Sequence, residues 1–216
     1  MMGFKAVIFD LDGTLLDTLD DITDAVNTVM ERLGFPIHEK VAVRSFVGSG
    51  LRSLMGKAIP ESEHSESVVD LCFREMMNVY SENYKEKTKP YPGILNMLNC
   101  LVERKIPMSV FSNKADELTR KLVDSVLPIN FVSVQGMTTE ALKKPNPKVA
   151  LELARKMAIM PEECVYVGDS GTDMVTANNA GMYAIGVTWG FRDRDNLIRS
   201  GAKKLVDSPD EILRFF

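Results

Sequence analysis

Ala6-Val7-Ile8-Phe9-Asp10-Leu11-Asp12-Gly13-Thr14 is the stretch that decides how this chain folds. Four apolar residues in a row read as a strand covered on both faces, as in a parallel sheet. The run ends in one carboxylate, carries a second two residues later, and then reaches Gly13. An unpaired buried charge is costly, so a bare core has no use for Asp at this point. The C-terminal edge of a parallel sheet is where α/β proteins place their ligands. Asp10 and Asp12 lie on the same side of an extended chain, and Gly13 permits an immediate turn. Two crowded acids repel unless a cation lies between them. Mg²⁺ suits such a place, because it takes oxygen ligands and binds through one or two carboxylates plus a substrate phosphate. One carboxylate can then attack phosphorus while the other moves protons.

The chain has 216 residues, enough for one domain plus an insertion, and 45% of them are hydrophobic, enough for a proper core. A formal net charge of −4 lacks the basic footprint of a nucleic-acid binder. No apolar run approaches the ~20 residues that span a membrane, and no charged-then-apolar leader precedes the first strand. Cys72, Cys100 and Cys164 are far apart and form no CxxC, so they read as small hydrophobes in a reducing compartment. These features predict a cytoplasmic protein with neither nucleic acid nor membrane as partner.

Past Asp17 the periodicity becomes helical. Leu19, Ile22, Val26, Val29 and Leu33 recur at steps of three and four, with Asp17 or Thr18 as cap and Asp20 and Asp21 near the positive end. Gly34 and Pro36 end that helix. Further helices are predicted over 39–46, 51–58 and 67–84, with Gly48-Ser49-Gly50 as a break and 60–65 as a loop. Residues 85–93 are charged and Pro-rich and read as a return linker. The composition shift predicts an inserted all-α helical domain over 17–85, with 1–16 and 86–216 as the α/β core. From Ile94 onward, helices at 94–104, 116–125, 148–157 and 174–180 alternate with strands at 108–111, 131–134, 164–167 and 183–187. A short helix at 195–199, a strand at 204–206 and a last helix from Pro209 follow. That alternation predicts a Rossmann-like parallel sheet flanked by helices, with right-handed crossovers.

Three of these strands end in polar residues: Asp10 and Asp12, Ser112 and Asn113, Asp169 and Asp173. Adjacent parallel strands would bring all three ends to one edge. Ser112 and the neighbouring backbone N–H groups can hold phosphoryl oxygens, or Ser112 can simply cap the next helix. Lys144 precedes Pro145, which restricts its backbone, and a fixed ammonium there can neutralise charge during transfer. Asp169 or Ser170 could cap a helix, but a cap does not explain two acids after a buried strand.

Asp10-Leu11-Asp12-Gly13-Thr14-Leu15-Leu16-Asp17-Thr18 resembles the first motif of the haloacid dehalogenase superfamily, phosphatase branch. Ser112, Lys144-Pro145 and Gly168-Asp169-Ser170-Gly171-Thr172-Asp173 match its other three motifs in order. The resemblance implies a helical cap after the first motif, Asp10 as nucleophile and Asp12 as general acid and base. It implies Mg²⁺ held by Asp10, the Asp12 backbone carbonyl and Asp169, with Asp173 binding directly or through water. Phosphate would meet Ser112, Asn113 and Lys144. Leu16-Asp17-Thr18-Leu19-Asp20-Asp21-Ile22, Val47-Gly48-Ser49-Gly50-Leu51 and Val187-Thr188-Trp189-Gly190 further resemble phosphoglycolate phosphatases.

The predicted activity is hydrolysis of a small phosphorylated metabolite by a monomer or homodimer. A dehalogenase needs no acid where Asp12 stands, and β-phosphoglucomutase carries a His early in its cap where this chain has Leu19-Asp20-Asp21-Ile22. A pyrophosphatase with the same cap stays open. A phospho-switch of the response-regulator kind would lack both the helical insert and Asp12. Arg52, after the glycine break, is either a partner for a substrate carboxylate or a solvated side chain. Trp189 is either a wall of the site or an anchor for the tail.

Overall fold

A computed structural model describes residues 3–216. β1 (Ala6–Phe9) is fully buried in the middle of a six-stranded sheet. A separate antiparallel ribbon pairs β2 (Leu16–Asp17) with β3 (Lys89–Pro90). The large sheet is completed by β4 (Met108–Ala115), β5 (Ser133–Met137), β6 (Cys164–Gly168), β7 (Tyr183–Val187) and β8 (Lys204–Val206). Its order is β5-β4-β1-β6-β7-β8, and every pairing is parallel.

Four helices lie between the two strands of the ribbon: α1 (Leu19–Arg32), α2 (Lys40–Phe46), α3 (Leu51–Ala58) and α4 (Glu66–Asn83). They enclose an apolar cluster of their own around Ile22, Val26, Met30, Leu54, Met76 and Tyr80. The remainder of the chain supplies α5 (Ile94–Glu103), α6 (Asp116–Val126), α7 (Lys148–Lys156), α8 (Gly171–Asn179) and α9 (Arg194–Arg199). Successive residues of β1 face opposite ways. Val7 and Phe9 pack with α5 and α6, whereas Ala6 and Ile8 pack with α7 and α8. The unbroken apolar runs of β1 and β6 are what a sheet covered on both faces requires.

Two side-chain devices seat the helical insert. The buried Asp21 carboxylate of α1 accepts from Lys87 N at 2.9 Å, Thr88 N at 2.8 Å and Thr88 Oγ1 at 2.7 Å. Arg44 of α2 donates to the carbonyl of Phe191 at 2.9 Å, while Arg192 donates back to the carbonyl of Arg44 at 2.8 Å.

Several boundaries differ from the sequence reading. β4 continues past Phe111 through Ser112, Asn113 and Lys114. These polar residues look like a strand end, yet all three are buried. β5 starts two residues later than expected, and the last segment, Pro209–Phe215, is a 3₁₀ helix. A 3₁₀ turn at Glu61–Glu63 interrupts the loop between α3 and α4. The β2–β3 ribbon has only two residues per strand, too short for any periodicity to register. Among the described residues, no helix is long and apolar enough to cross a membrane.

Candidate active site

The register sets the site. Phe9 pairs with Val110 of β4 and Val167 of β6, and Asp10 N donates to Val167 O at 2.9 Å. Asp10, Ser112 and Asp169 therefore emerge at one edge, where the strand order reverses around β1. Lys144, in the segment before α7, crosses to the same edge. Its Nζ lies 2.6 Å from Asp10 Oδ1, 2.7 Å from Asp173 Oδ1 and 3.2 Å from Phe111 O. The Lys144-Pro145 peptide is cis.

Asp10, Asp169 and Asp173 are all buried, and each offers an oxygen within 4.8 Å of the others. Burial above all, then the charge of Asp173, raises the Asp10 carboxyl well beyond the ordinary range, although Lys144 pulls the other way. Burial and Asp173 push the Asp169 carboxyl up to about 7. Burial opposes the charge of Lys144, but Asp10 and Asp173 outweigh it and raise the ammonium above the usual lysine range. One ammonium among three carboxylates leaves two negative charges. A divalent cation with a preference for oxygen ligands, such as Mg²⁺, fits that donor set.

The oxygens are not equally free. Asp173 Oδ2 accepts from Ser170 N at 3.1 Å and Ser170 Oγ at 2.6 Å, which caps α8. With Oδ1 on Lys144, both Asp173 oxygens are engaged by protein donors. Asp169 Oδ2 accepts from Phe191 N at 2.6 Å.

Asp12 meets a residue whose importance the sequence reading missed. Lys114 Nζ lies 3.1 Å from Asp12 Oδ1, close enough for an ion pair although not aligned as a hydrogen bond. The same ammonium donates to Tyr80 Oη at 2.9 Å and sits 4.6 Å from the Tyr80 ring centroid. Burial lowers the proton affinity of Lys114, but Asp12 and Tyr80 overcome it and hold the ammonium charged. A lysine two positions after Ser112, in a strand that ought to have ended, was the available signal.

Ser112 is buried, lines the cavity and accepts from Lys114 N at 3.1 Å. The Asn113 amide is fully employed elsewhere. Its Oδ1 accepts from Lys144 N at 2.8 Å, and its Nδ2 donates to Gly48 O at 3.0 Å and Lys144 O at 3.3 Å. Asn113 thus ties the Lys144 backbone to the glycine break before α3, and its side chain is not available to phosphate. Arg52 is not brought to the cavity. It donates instead to Asp70 Oδ1 at 2.8 Å and Glu66 Oε2 at 2.5 Å on α4. The apolar side of the cavity comes from the insert, through Ile22, Leu51 and Leu54, and from Phe191.

The sequence pattern of the haloacid dehalogenase-like hydrolases matches residues 7–187. This chain belongs to that family. It is 34% identical to a phosphoglycolate phosphatase of Chromobacterium violaceum, over 96% of this chain and 94% of that one. It is 31% identical to a phosphoglycolate phosphatase of Vibrio parahaemolyticus, over 97% and 94%. A crystal structure from Lactobacillus delbrueckii subsp. bulgaricus, provisionally named a phosphoglycolate phosphatase, superposes with a TM-score of 0.91 at 31% identity, over 98% and 97%.

This haloacid dehalogenase-like phosphatase holds its first motif tightly. Gly13 has φ +84°, and a Cβ there would collide with the Asp169 carboxylate and the Phe191 ring. Trp189 Nε1 donates to Thr14 O at 3.0 Å, so Trp189 braces the turn after β1. It is partly buried against the apolar cluster that includes Phe9.

Proposed function

We infer that the chain hydrolyses the phosphomonoester bond of a small phosphorylated carboxylate, with 2-phosphoglycolate as the leading candidate, through an aspartyl-phosphate on Asp10. The buried group of Asp10, Lys144, Asp169 and Asp173 carries the chemical part of this reading. The names of the relatives support the substrate part. Asp10 and Asp169 would hold Mg²⁺ directly, with the Asp12 carbonyl beside them. Asp173 would stand behind them and fix Lys144. Bound there, Mg²⁺ supplies positive charge to the phosphoryl oxygens and keeps the carboxylates ionised.

An Asp10 oxygen attacks phosphorus, and the P–O bond to the leaving alcohol breaks. Asp12, once protonated, gives its proton to the departing oxygen. Asp12 then takes a proton from the water that splits the aspartyl-phosphate, which returns Asp10 and releases phosphate. Lys144 neutralises charge on Asp10 and the phosphoryl group, and Ser112 holds a phosphoryl oxygen. Residues 17–85 would act as a cap that keeps bulk water out through Ile22, Leu51 and Leu54. Phosphate release from 2-phosphoglycolate, pyrophosphate, sugar phosphates, nucleotides and p-nitrophenyl phosphate, each with Mg²⁺ and with EDTA, tests this reading. The expected result is Mg²⁺-dependent release with the highest kcat/KM on 2-phosphoglycolate. A higher value on pyrophosphate would refute the substrate.

A further inference from the structure

Lys114 is a second buried ammonium at the cavity, and the reaction just described gives it no task. Its side chain is 2% exposed, yet it lines the same space as Asp10 and Asp12. Lys144 and Arg192 also line that space, and both are engaged by protein acceptors. Lys144 serves Asp10, Asp173 and the Phe111 carbonyl. Arg192 serves the carbonyls of Arg44, Ser45 and Val47. Lys114 has three N–H groups and two partners, Asp12 and Tyr80. The wall beyond it is apolar, with Ile22, Leu51 and Leu54. A second anion on a substrate would be rejected there and accepted at Lys114.

We propose that Lys114 is the specificity-determining residue of this phosphatase: it binds an anionic group on the leaving-group side of the substrate, and Tyr80 positions it. The inference rests on the reading that Asp12 meets the leaving oxygen. The ammonium that touches Asp12 is then adjacent to whatever the leaving alcohol carries next. A carboxylate one carbon from the ester oxygen, as in 2-phosphoglycolate, falls within the reach of that ammonium. Tyr80 belongs to α4 of the helical insert, whereas Lys114 and Asp12 belong to the sheet edge. The anion site is therefore complete only with the insert seated. Arg52, the sequence-level candidate for this task, is held on Glu66 and Asp70 instead.

The test compares 2-phosphoglycolate with 2-hydroxyethyl phosphate, which is similar in size but lacks the carboxylate. The unaltered protein should prefer the former. Lys114→Met should lower that preference by about 10- to 100-fold, chiefly through KM for 2-phosphoglycolate, as expected for losing a charged hydrogen bond. Lys114→Arg should restore part of it, and Tyr80→Phe should reduce it in the same direction but less. On the unaltered protein, glycolate should compete with p-nitrophenyl phosphate and glycolamide should not. This arm stands even where a Lys114 variant fails to fold. If the unaltered protein prefers 2-phosphoglycolate and Lys114→Met keeps the whole preference, the role of Lys114 is overturned alone. If the unaltered protein shows no preference, or glycolate and glycolamide inhibit equally, the carboxylate substrate is overturned with it.

Discussion

The Lys144 ammonium lies 2.6 Å from Asp10 Oδ1, and both side chains are more than nine-tenths buried. The pair joins the segment before α7 to the end of β1, and a second contact of 2.7 Å extends it to Asp173 on α8. A buried ammonium in that position neutralises two buried carboxylates, and under the proposed mechanism it prepares the nucleophile through the same contacts.

Replacing Lys144 with Met should therefore damage both. Stability should fall by about 3–5 kcal/mol without metal, because two buried carboxylates lose their partner. Turnover should fall by about 10²- to 10³-fold or more. Adding Asp173→Asn to Lys144→Met should recover part of the stability and none of the turnover, since one uncompensated charge is removed. Thermal melts in EDTA beside steady-state kinetics measure both effects. An unchanged melting temperature for Lys144→Met would contradict the electrostatic account.

The pH dependence follows from Asp169. Its folded carboxyl titrates at about 7, above its value in the unfolded chain. Between the two values the folded state holds a proton that the unfolded state has released, so stability falls as pH rises. In EDTA, the melting temperature should drop from about pH 5 to about pH 8, and Asp169→Asn should flatten the drop. Mg²⁺ displaces that proton, so its stabilising effect should be larger at the higher pH. A Mg²⁺ effect that shrinks with rising pH would count against these ligands.

Most of this arrangement was legible in the chain itself. The apolar run before Asp10, the polar ends of β4 and β6 and the Lys144-Pro145 pair required no tertiary information. What stayed hidden depends on contacts between distant segments. Its place two positions after Ser112 is all that marks Lys114 off from Lys143 in the sequence, and only the fold buries it beside Asp12 and Tyr80. Arg52 follows a glycine break that does line the cavity, but Glu66 and Asp70 one helix away divert it. Asn113 lies inside β4 rather than just past its end, and its amide bonds two backbones rather than a ligand.

Gly13→Ala should abolish Mg²⁺-dependent turnover while leaving the sheet intact. The new Cβ would strike the Asp169 carboxylate, and φ +84° disfavours any other residue. Circular dichroism and the Mg²⁺ concentration needed for activity check this. Ordinary Mg²⁺ activation in the variant would show that the turn tolerates more than its geometry implies.

Asp21→Ala should loosen the helical insert at its return. The change removes a buried acceptor and leaves the Lys87 and Thr88 N–H groups without partners. A loss of about 1.5–3 kcal/mol is expected, with faster proteolysis between residues 83 and 91. Protection equal to that of the unaltered protein would mean that the Arg44 and Arg192 contacts suffice to seat the insert.

The central claim is that Asp10 carries the phosphoryl group. Its most direct test is acid quenching during turnover of 2-phosphoglycolate, with mass spectrometry of the peptide that holds Asp10, beside phosphate release by Asp10→Asn. The account predicts a phosphorylated Asp10 in the unaltered protein, and a folded variant with neither phosphopeptide nor phosphate release. Sustained phosphate release by the purified variant, free of contaminating phosphatase, would contradict it.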